Sequence, residues 1–130
     1  MAKELVLVVE DDDALRPMIE TALRDLLGLN TVGSADGERA LRLAFELQPA
    51  LLLLDIALPG RDGVEIAWQI KQRPATAGVR ILVLTGLDNA RYRAMEMGCD
   101  DYLQKPFDLD QLLDKVRRQL GLSVGEQLAA

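Results

Sequence analysis

Residues 51–63 read Leu-Leu-Leu-Leu-Asp-Ile-Ala-Leu-Pro-Gly-Arg-Asp-Gly: an apolar run, a carboxylate where it ends, then a proline- and glycine-containing turn. The run lacks the alternation of a strand with one wet face, and a second stretch, Ile81-Leu82-Val83-Leu84, lacks it too. Strands covered by helices on both faces read this way, because both sides of the pleat meet apolar side chains. We therefore expect these two as central strands of a parallel sheet.

Outward from them, strands are expected at 5–9, 31–34, 50–54, 80–84 and 101–104, the second and fifth carrying the weakest signals. Helical patterns fill the gaps at 14–27, 37–47, 63–72, 89–97 and 109–120. Short apolar runs alternating with helices are the signature of repeated βα units around a parallel sheet. Asp13, Asp36, Asp62, Asp88 and Asp108 stand where each helix needs an acceptor for its free N–H groups. Gly28, Gly98 and Gly121 stand where a left-handed residue commonly ends a helix. With Asp13 as the cap, Pro17 falls in a first turn, where its missing N–H has no intrahelical partner to lose.

At 130 residues the chain fits one domain, and with 49% hydrophobic and 28% charged residues it can bury a core. A net charge of −6 argues against direct nucleic-acid binding, whose footprint is basic. The apolar residues 5–9 follow Met1 too closely for a signal peptide, and no run approaches the ~18 residues of a membrane span. A cytoplasmic location is the default expectation. Histidine is absent and Cys99 is the only cysteine, so imidazole triads, internal disulfides and cysteine-rich zinc sites are excluded. Cys99 reads as a small buried residue. The available chemistry is that of carboxylates, hydroxyls and lysine.

Polar residues cluster at strand ends. Glu10 and Asp11 end the first apolar run, Asp55 the third, Thr85 the fourth and Lys105 the fifth. In an open parallel sheet those carboxyl ends share one edge, where ligands bind at the reversal of strand order. Each residue also has a plain reading. An acid after a strand caps helices, which accounts equally well for Asp11 or Asp12. Thr85 and Lys105 are each ordinary alone. Asp55, flanked by apolar residues, has no cap to make and calls for a partner or a metal. Three converging carboxylates raise a pKa or recruit a cation, and an all-oxygen site suits Mg²⁺. Asp11 and Asp55 are the expected direct ligands. Asp55 could then attack phosphorus to form an acyl phosphate, with Lys105 and Thr85 pairing with the phosphoryl oxygens.

LVLVVEDD (5–12), LLLLDIALPGRDG (51–63), ILVLTG (81–86) and GCDDYLQKPF (98–107), in this order and spacing, resemble the receiver domain of two-component response regulators over about residues 4–120. The resemblance implies a doubly wound α/β fold of the flavodoxin-like kind, a (βα)5 sandwich with strand order 2-1-3-4-5. Residues 1–120 would be the receiver and 121–130 a C-terminal tail or the start of a linker. It makes Asp55 the phosphoacceptor, Glu10 and Asp11 the acidic pair, Lys105 the lysine, Thr85 the switch hydroxyl and Tyr102 the switch aromatic. The Ala57 backbone carbonyl would be a further Mg²⁺ ligand and Lys105-Pro106 a cis bond. The donor would be a histidine kinase or a histidine phosphotransfer protein. Phosphorylation would reshape the face of the last two helices and fifth strand, for a homodimer or an effector protein. Asp100, Asp101 and Lys115 could pair charges there, although Gln111 stands where that pattern has an acid.

Magnitudes bound the switch. A shift from 1:99 to 99:1 needs about 5.5 kcal/mol, more than the ~1.5 to 3 kcal/mol of one charged hydrogen bond, so Thr85 and Lys105 must act together. Ala57 and Leu87 are apolar where many receivers carry polar groups, so slow self-dephosphorylation is expected. Gly86 fills a slot that needs little volume. Two other classes stay open: a docking module indifferent to phosphorylation, and a Mg²⁺-dependent phosphatase with an Asp nucleophile. Phosphatases of the haloacid-dehalogenase kind usually place a second Asp two positions on, where this chain has Ala57.

Overall fold

Five parallel strands form one sheet in the computed structural model, which describes residues 4–59, 62–86 and 98–122. They are β1 (Leu5–Val9), β2 (Asn30–Ser34), β3 (Leu51–Asp55), β4 (Arg80–Thr85) and β5 (Asp101–Gln104), in the order β2-β1-β3-β4-β5. The described helices are α1 (Leu15–Leu27), α2 (Gly37–Leu47), α3 (Gly63–Gln72) and α4 (Leu109–Leu120). The helix expected at 89–97, its cap Asp88 and Leu87 lie outside the described residues.

Strand alternation sorts the core into two layers. Leu7, Val9, Leu52, Leu54, Ile81 and Val83 pack with buried residues of α2 and α3. Val6, Val8, Leu51, Leu53, Leu82 and Leu84 pack with those of α1 and α4. Each fully buried leucine contributes about 1.5 to 3 kcal/mol, so β1, β3 and β4 tolerate polar residues only at their ends. The weak signals of the outer strands have the same origin. β2 is an edge strand with one fully buried residue, and β5 is the other edge.

Four strand boundaries differ from expectation, one of them the start of β3, which is Leu51 where residue 50 was expected. β2 begins one residue earlier, at Asn30. β3 and β4 each run one residue further, through Asp55 and Thr85, because the ladder continues past the apolar runs. Ile56 N donates to Leu84 O at 3.3 Å and Lys105 N to Thr85 O at 2.7 Å, so both polar residues sit on fixed backbone.

The α1 cap is also corrected. The helix starts at Leu15, one residue later than expected, and a cap side chain reaches two or three residues ahead. Asp12 Oδ1 therefore accepts from Ala14 N at 2.8 Å and Leu15 N at 3.1 Å, and these bonds hold its carboxyl below the usual range. Asp13 turns to Arg16 instead. Pro17 still lies in the first turn. Asp36 accepts from Glu38 N and Arg39 N, Asp62 from Val64 N, and Asp108 N donates to Gln111 Oε1. Gly28 and Gly121 end α1 and α4 at φ of 67° and 69°, left-handed conformations that cost glycine nothing.

Candidate functional site

Register decides which residues meet. Val9 pairs with Leu54, so Glu10 lies beside Asp55; Asp55 pairs with Leu84 and Thr85 with Gln104, which brings Lys105 alongside. The strand order reverses between β1 and β3, so this cluster occupies the switch-point crevice. Alternation then chooses the faces: Glu10, Asp55 and Lys105 continue the row of Val8, Leu53 and Leu103, while Thr85 continues that of Val83.

Lys105 bridges two carboxylates. Its Nζ donates to Glu10 Oε1 at 2.5 Å and to Asp55 Oδ2 at 3.0 Å. Asp55 Oδ1 accepts from Ala57 N at 2.9 Å, and Glu10 Oε2 accepts from Asp12 N at 3.2 Å. Glu10 is fully buried and Asp55 is 4% exposed, whereas Asp11 stands in solvent. One carboxylate oxygen from each of the three lies within 4.8 Å of the others.

Burial pushes Glu10 up to about 7, against the downward pull of Lys105 and of Asp12 N–H and with the Asp55 charge adding to it. Burial would lower Lys105, but its bonds to Glu10 and Asp55 outweigh that and hold the ammonium above its ordinary value. Three carboxylates against one ammonium leave a formal charge of −2 when all are ionised (−3 + 1). An all-oxygen cluster with that charge fits a hard divalent cation such as Mg²⁺. Each oxygen of Glu10 and of Asp55 already accepts one hydrogen bond, and Asp11 is the member of the cluster that stands in solvent.

The remaining expected residues lie on the same strands or just beyond them. Thr85 is buried at the end of β4. Ala57 is exposed just beyond Asp55, and the Lys105-Pro106 peptide bond is cis. Tyr102 is partly buried on β5, with Lys115 Nζ 5.6 Å from its ring centroid. A groove of about 340 Å³, lined by Leu15, Met18, Phe107 and Leu109, opens beside Lys105 and Pro106.

The three charges that could pair between copies are engaged within the chain. Asp100 Oδ2 accepts from Lys71 Nζ at 3.0 Å and Ile81 N at 2.7 Å, and Asp101 accepts from Lys115 at 2.9 Å.

Sequence reasoning missed three residues. Ser34 is buried beside Glu10, with its carbonyl accepting Glu10 N and its hydroxyl donating to Asp36 O. Gly63 abuts the Asp55-Ile56 backbone so closely that an added Cβ would stand 2.4 Å from Ile56 Cα. Arg16 reaches back from α1 to the Glu10 carbonyl. Of these, only Arg16 had a legible signal: a cation in a helix's first turn opposes the macrodipole and calls for a local partner.

Comparison with known proteins gives the family and the fold. The response regulator receiver domain family matches residues 6–117. The Synechocystis "DNA-binding dual master transcriptional regulator RpaA" is 33% identical over 117 residues, covering 88% of this chain and 48% of that protein. The "DNA-binding response regulator MtrA" of Mycolicibacterium smegmatis is 37% identical over 120 residues, covering 91% of this chain and 51% of that protein. The chain thus spans about half the length of these curated relatives. Among solved structures, the receiver domain of sensor histidine kinase PA1611 from Pseudomonas aeruginosa, with a magnesium ion coordinated in its active site cleft, superposes with a TM-score of 0.83. It is 33% identical, and the match covers 92% of this chain and 99% of that one.

Proposed function

This chain belongs to the response regulator receiver family, and from that premise we propose that Asp55 accepts a phosphoryl group from a histidine kinase or histidine phosphotransfer protein. The observation that carries this is the Lys105 bridge between Glu10 and Asp55 with the Asp11 carboxylate within reach.

An Asp55 carboxylate oxygen attacks phosphorus, a new P–O bond forms, and the donor's P–N bond breaks as its imidazole leaves. Mg²⁺, held by the carboxylates of Asp11 and Asp55 and the Ala57 carbonyl with Glu10 behind them, would neutralise the phosphoryl oxygens. Lys105 then exchanges its bond to Asp55 for one to a phosphoryl oxygen. The Thr85 hydroxyl donates to another, which couples the site to Tyr102 and the surface around β5.

The apolar groove beside Lys105 supplies contact area for the donor, which must bring phosphorus within bonding reach of Asp55. A charge-paired homodimer would have to displace the Asp101–Lys115 pair, so an effector protein suits that face better. We assign residues 1–120 to the receiver and 121–130 to a tail or linker. Among the described residues no helix is long and apolar enough to cross a membrane, in keeping with a cytoplasmic role.

The test is intact mass after incubation with acetyl phosphate and Mg²⁺, for wild type and Asp55→Asn. One phosphoryl group on the wild type alone, absent without metal, is expected. No adduct despite bound Mg²⁺ would favour a docking module, and turnover of a small phosphomonoester would favour an enzyme.

A further inference from the structure

Glu10 and Asp55 are each held by two hydrogen bonds to their carboxylates. Among the described residues none holds the carboxylate of Asp11, the third member of the cluster. Its position is therefore set by its backbone alone, and the peptide that leads into it begins at the Glu10 carbonyl.

That carbonyl belongs to a fully buried residue and accepts from Arg16 Nη1 at 2.8 Å. Nη2 of the same guanidinium donates to Asp13 Oδ1 at 2.9 Å, and Arg16 N donates to Asp12 O at 3.0 Å. One residue thus fastens the loop between β1 and α1 at Glu10, Asp12 and Asp13, on either side of Asp11. The Arg16 side chain is only 19% exposed, while that of Asp13 is 86% exposed. The contact with the buried carbonyl is the stronger fastening, since an exposed ion pair is screened by solvent. The location opposes the helix dipole, so helix stability does not account for a cation here.

We infer that Arg16 is a positioning residue for the metal site: it fixes the plane of the Glu10-Asp11 peptide and so holds Asp11 ready to bind Mg²⁺. The inference rests on the proposed role of Asp11. It makes Arg16 act on metal affinity and not on the phosphoryl-transfer step.

The experiment is calorimetric Mg²⁺ titration of the full chain, wild type against Arg16→Met, Arg16→Lys and Asp13→Asn, with circular dichroism to confirm folding. Phosphorylation by acetyl phosphate is followed against Mg²⁺ concentration for the same proteins. Arg16→Met keeps the aliphatic stem and loses the donors, and its Mg²⁺ dissociation constant should rise roughly tenfold, the scale of one lost charge-assisted hydrogen bond. Arg16→Lys, with one cationic centre for two acceptors, should fall between. Asp13→Asn should stay within about twofold of wild type. The half-saturating Mg²⁺ concentration for phosphorylation should rise in parallel, with the maximal rate unchanged.

Wild-type Mg²⁺ affinity in folded Arg16→Met, or a lowered maximal rate at saturating Mg²⁺, overturns the inference. So does an effect of Asp13→Asn as large as that of Arg16→Met. If Arg16→Met does not fold, Arg16→Lys carries the test under the same criteria. A wild type that binds no Mg²⁺ would overturn the metal-site reading, whereas an Arg16 variant indistinguishable from a Mg²⁺-binding wild type would overturn this inference alone.

Discussion

Lys105 Nζ lies 2.5 Å from Glu10 Oε1, a contact between residues 95 positions apart that spans the crevice from β5 to β1. The same ammonium reaches Asp55 at 3.0 Å, so one cation offsets two carboxylates that would otherwise repel each other. Breaking a buried pair costs about 3 to 5 kcal/mol. A quarter of the Lys105 side chain is exposed and Glu10 can take up a proton, so Lys105→Met should lose about 1 to 3 kcal/mol. Urea unfolding measures this. Mg²⁺ should restore part of the loss by supplying another cation, and an unchanged midpoint without metal would show that the pair adds no net stability.

Gly63 packs against the backbone of Asp55 and Ile56. A Cβ there would meet Ile56 Cα at 2.4 Å and Asp55 O at 3.0 Å, and neither can rotate away as a side chain could. Gly63→Ala should destabilise the fold by about 1 to 3 kcal/mol, as overpacking does, and slow phosphorylation of Asp55. Gly78→Ala is the matched control, with nothing within 4 Å of the new Cβ and an expected change within about 0.5 kcal/mol. Equal unfolding midpoints for the two variants would contradict the close approach.

Cys99 is 5% exposed, and burial, helped by the Asp100 charge, pushes its thiol up to about 11 from 9.0. Between those values the unfolded chain gives up the thiol proton while the folded chain keeps it. The stability this group contributes is therefore complete below pH about 9 and is lost as pH rises toward about 11. Cys99→Ala should show a shallower alkaline decline. At pH 8 iodoacetamide should modify the folded wild type at least about a hundredfold more slowly than the urea-unfolded chain, because only thiolate reacts. Comparable rates would place the thiol in solvent.

Phosphoryl lifetime tests the apolar surroundings of the acceptor. Ala57 is exposed beside Asp55 and offers no side-chain polar atom to orient water. Combined replacement by Ala57→Asn and Leu87→Gln should shorten the lifetime by about tenfold, below the usual contribution of a well-positioned polar group. The decay of the phosphorylated mass measures it, and an unchanged lifetime would remove these positions from the account of hydrolysis.

Much of this was legible in the chain itself. Unbroken leucine runs between helical patterns required strands buried on both faces, and polar residues at the ends of those runs required one shared edge. Both inferences rest on local cost, because a polar group in the middle of such a strand has nothing to bond. β2 was harder to read because an edge strand buries little, so Asn30-Thr31-Val32-Gly33-Ser34 shows no apolar run. The α1 cap was misassigned because three adjacent aspartates, 11 to 13, offer the same chemistry one residue apart.

The sequence by itself determined the parallel sheet, its layering and the residue types available for chemistry, since these follow from the cost of burying each residue where it stands. Tertiary structure alone decided that Lys105 bonds both Glu10 and Asp55, that Asp100 faces Lys71, that Gly63 leaves room for the Asp55 backbone and that Arg16 holds the Glu10 carbonyl. Those relations depend on strand register and helix docking, which shift whole elements by ångströms, and no local preference of a residue encodes the distance to another fifty or ninety-five positions away.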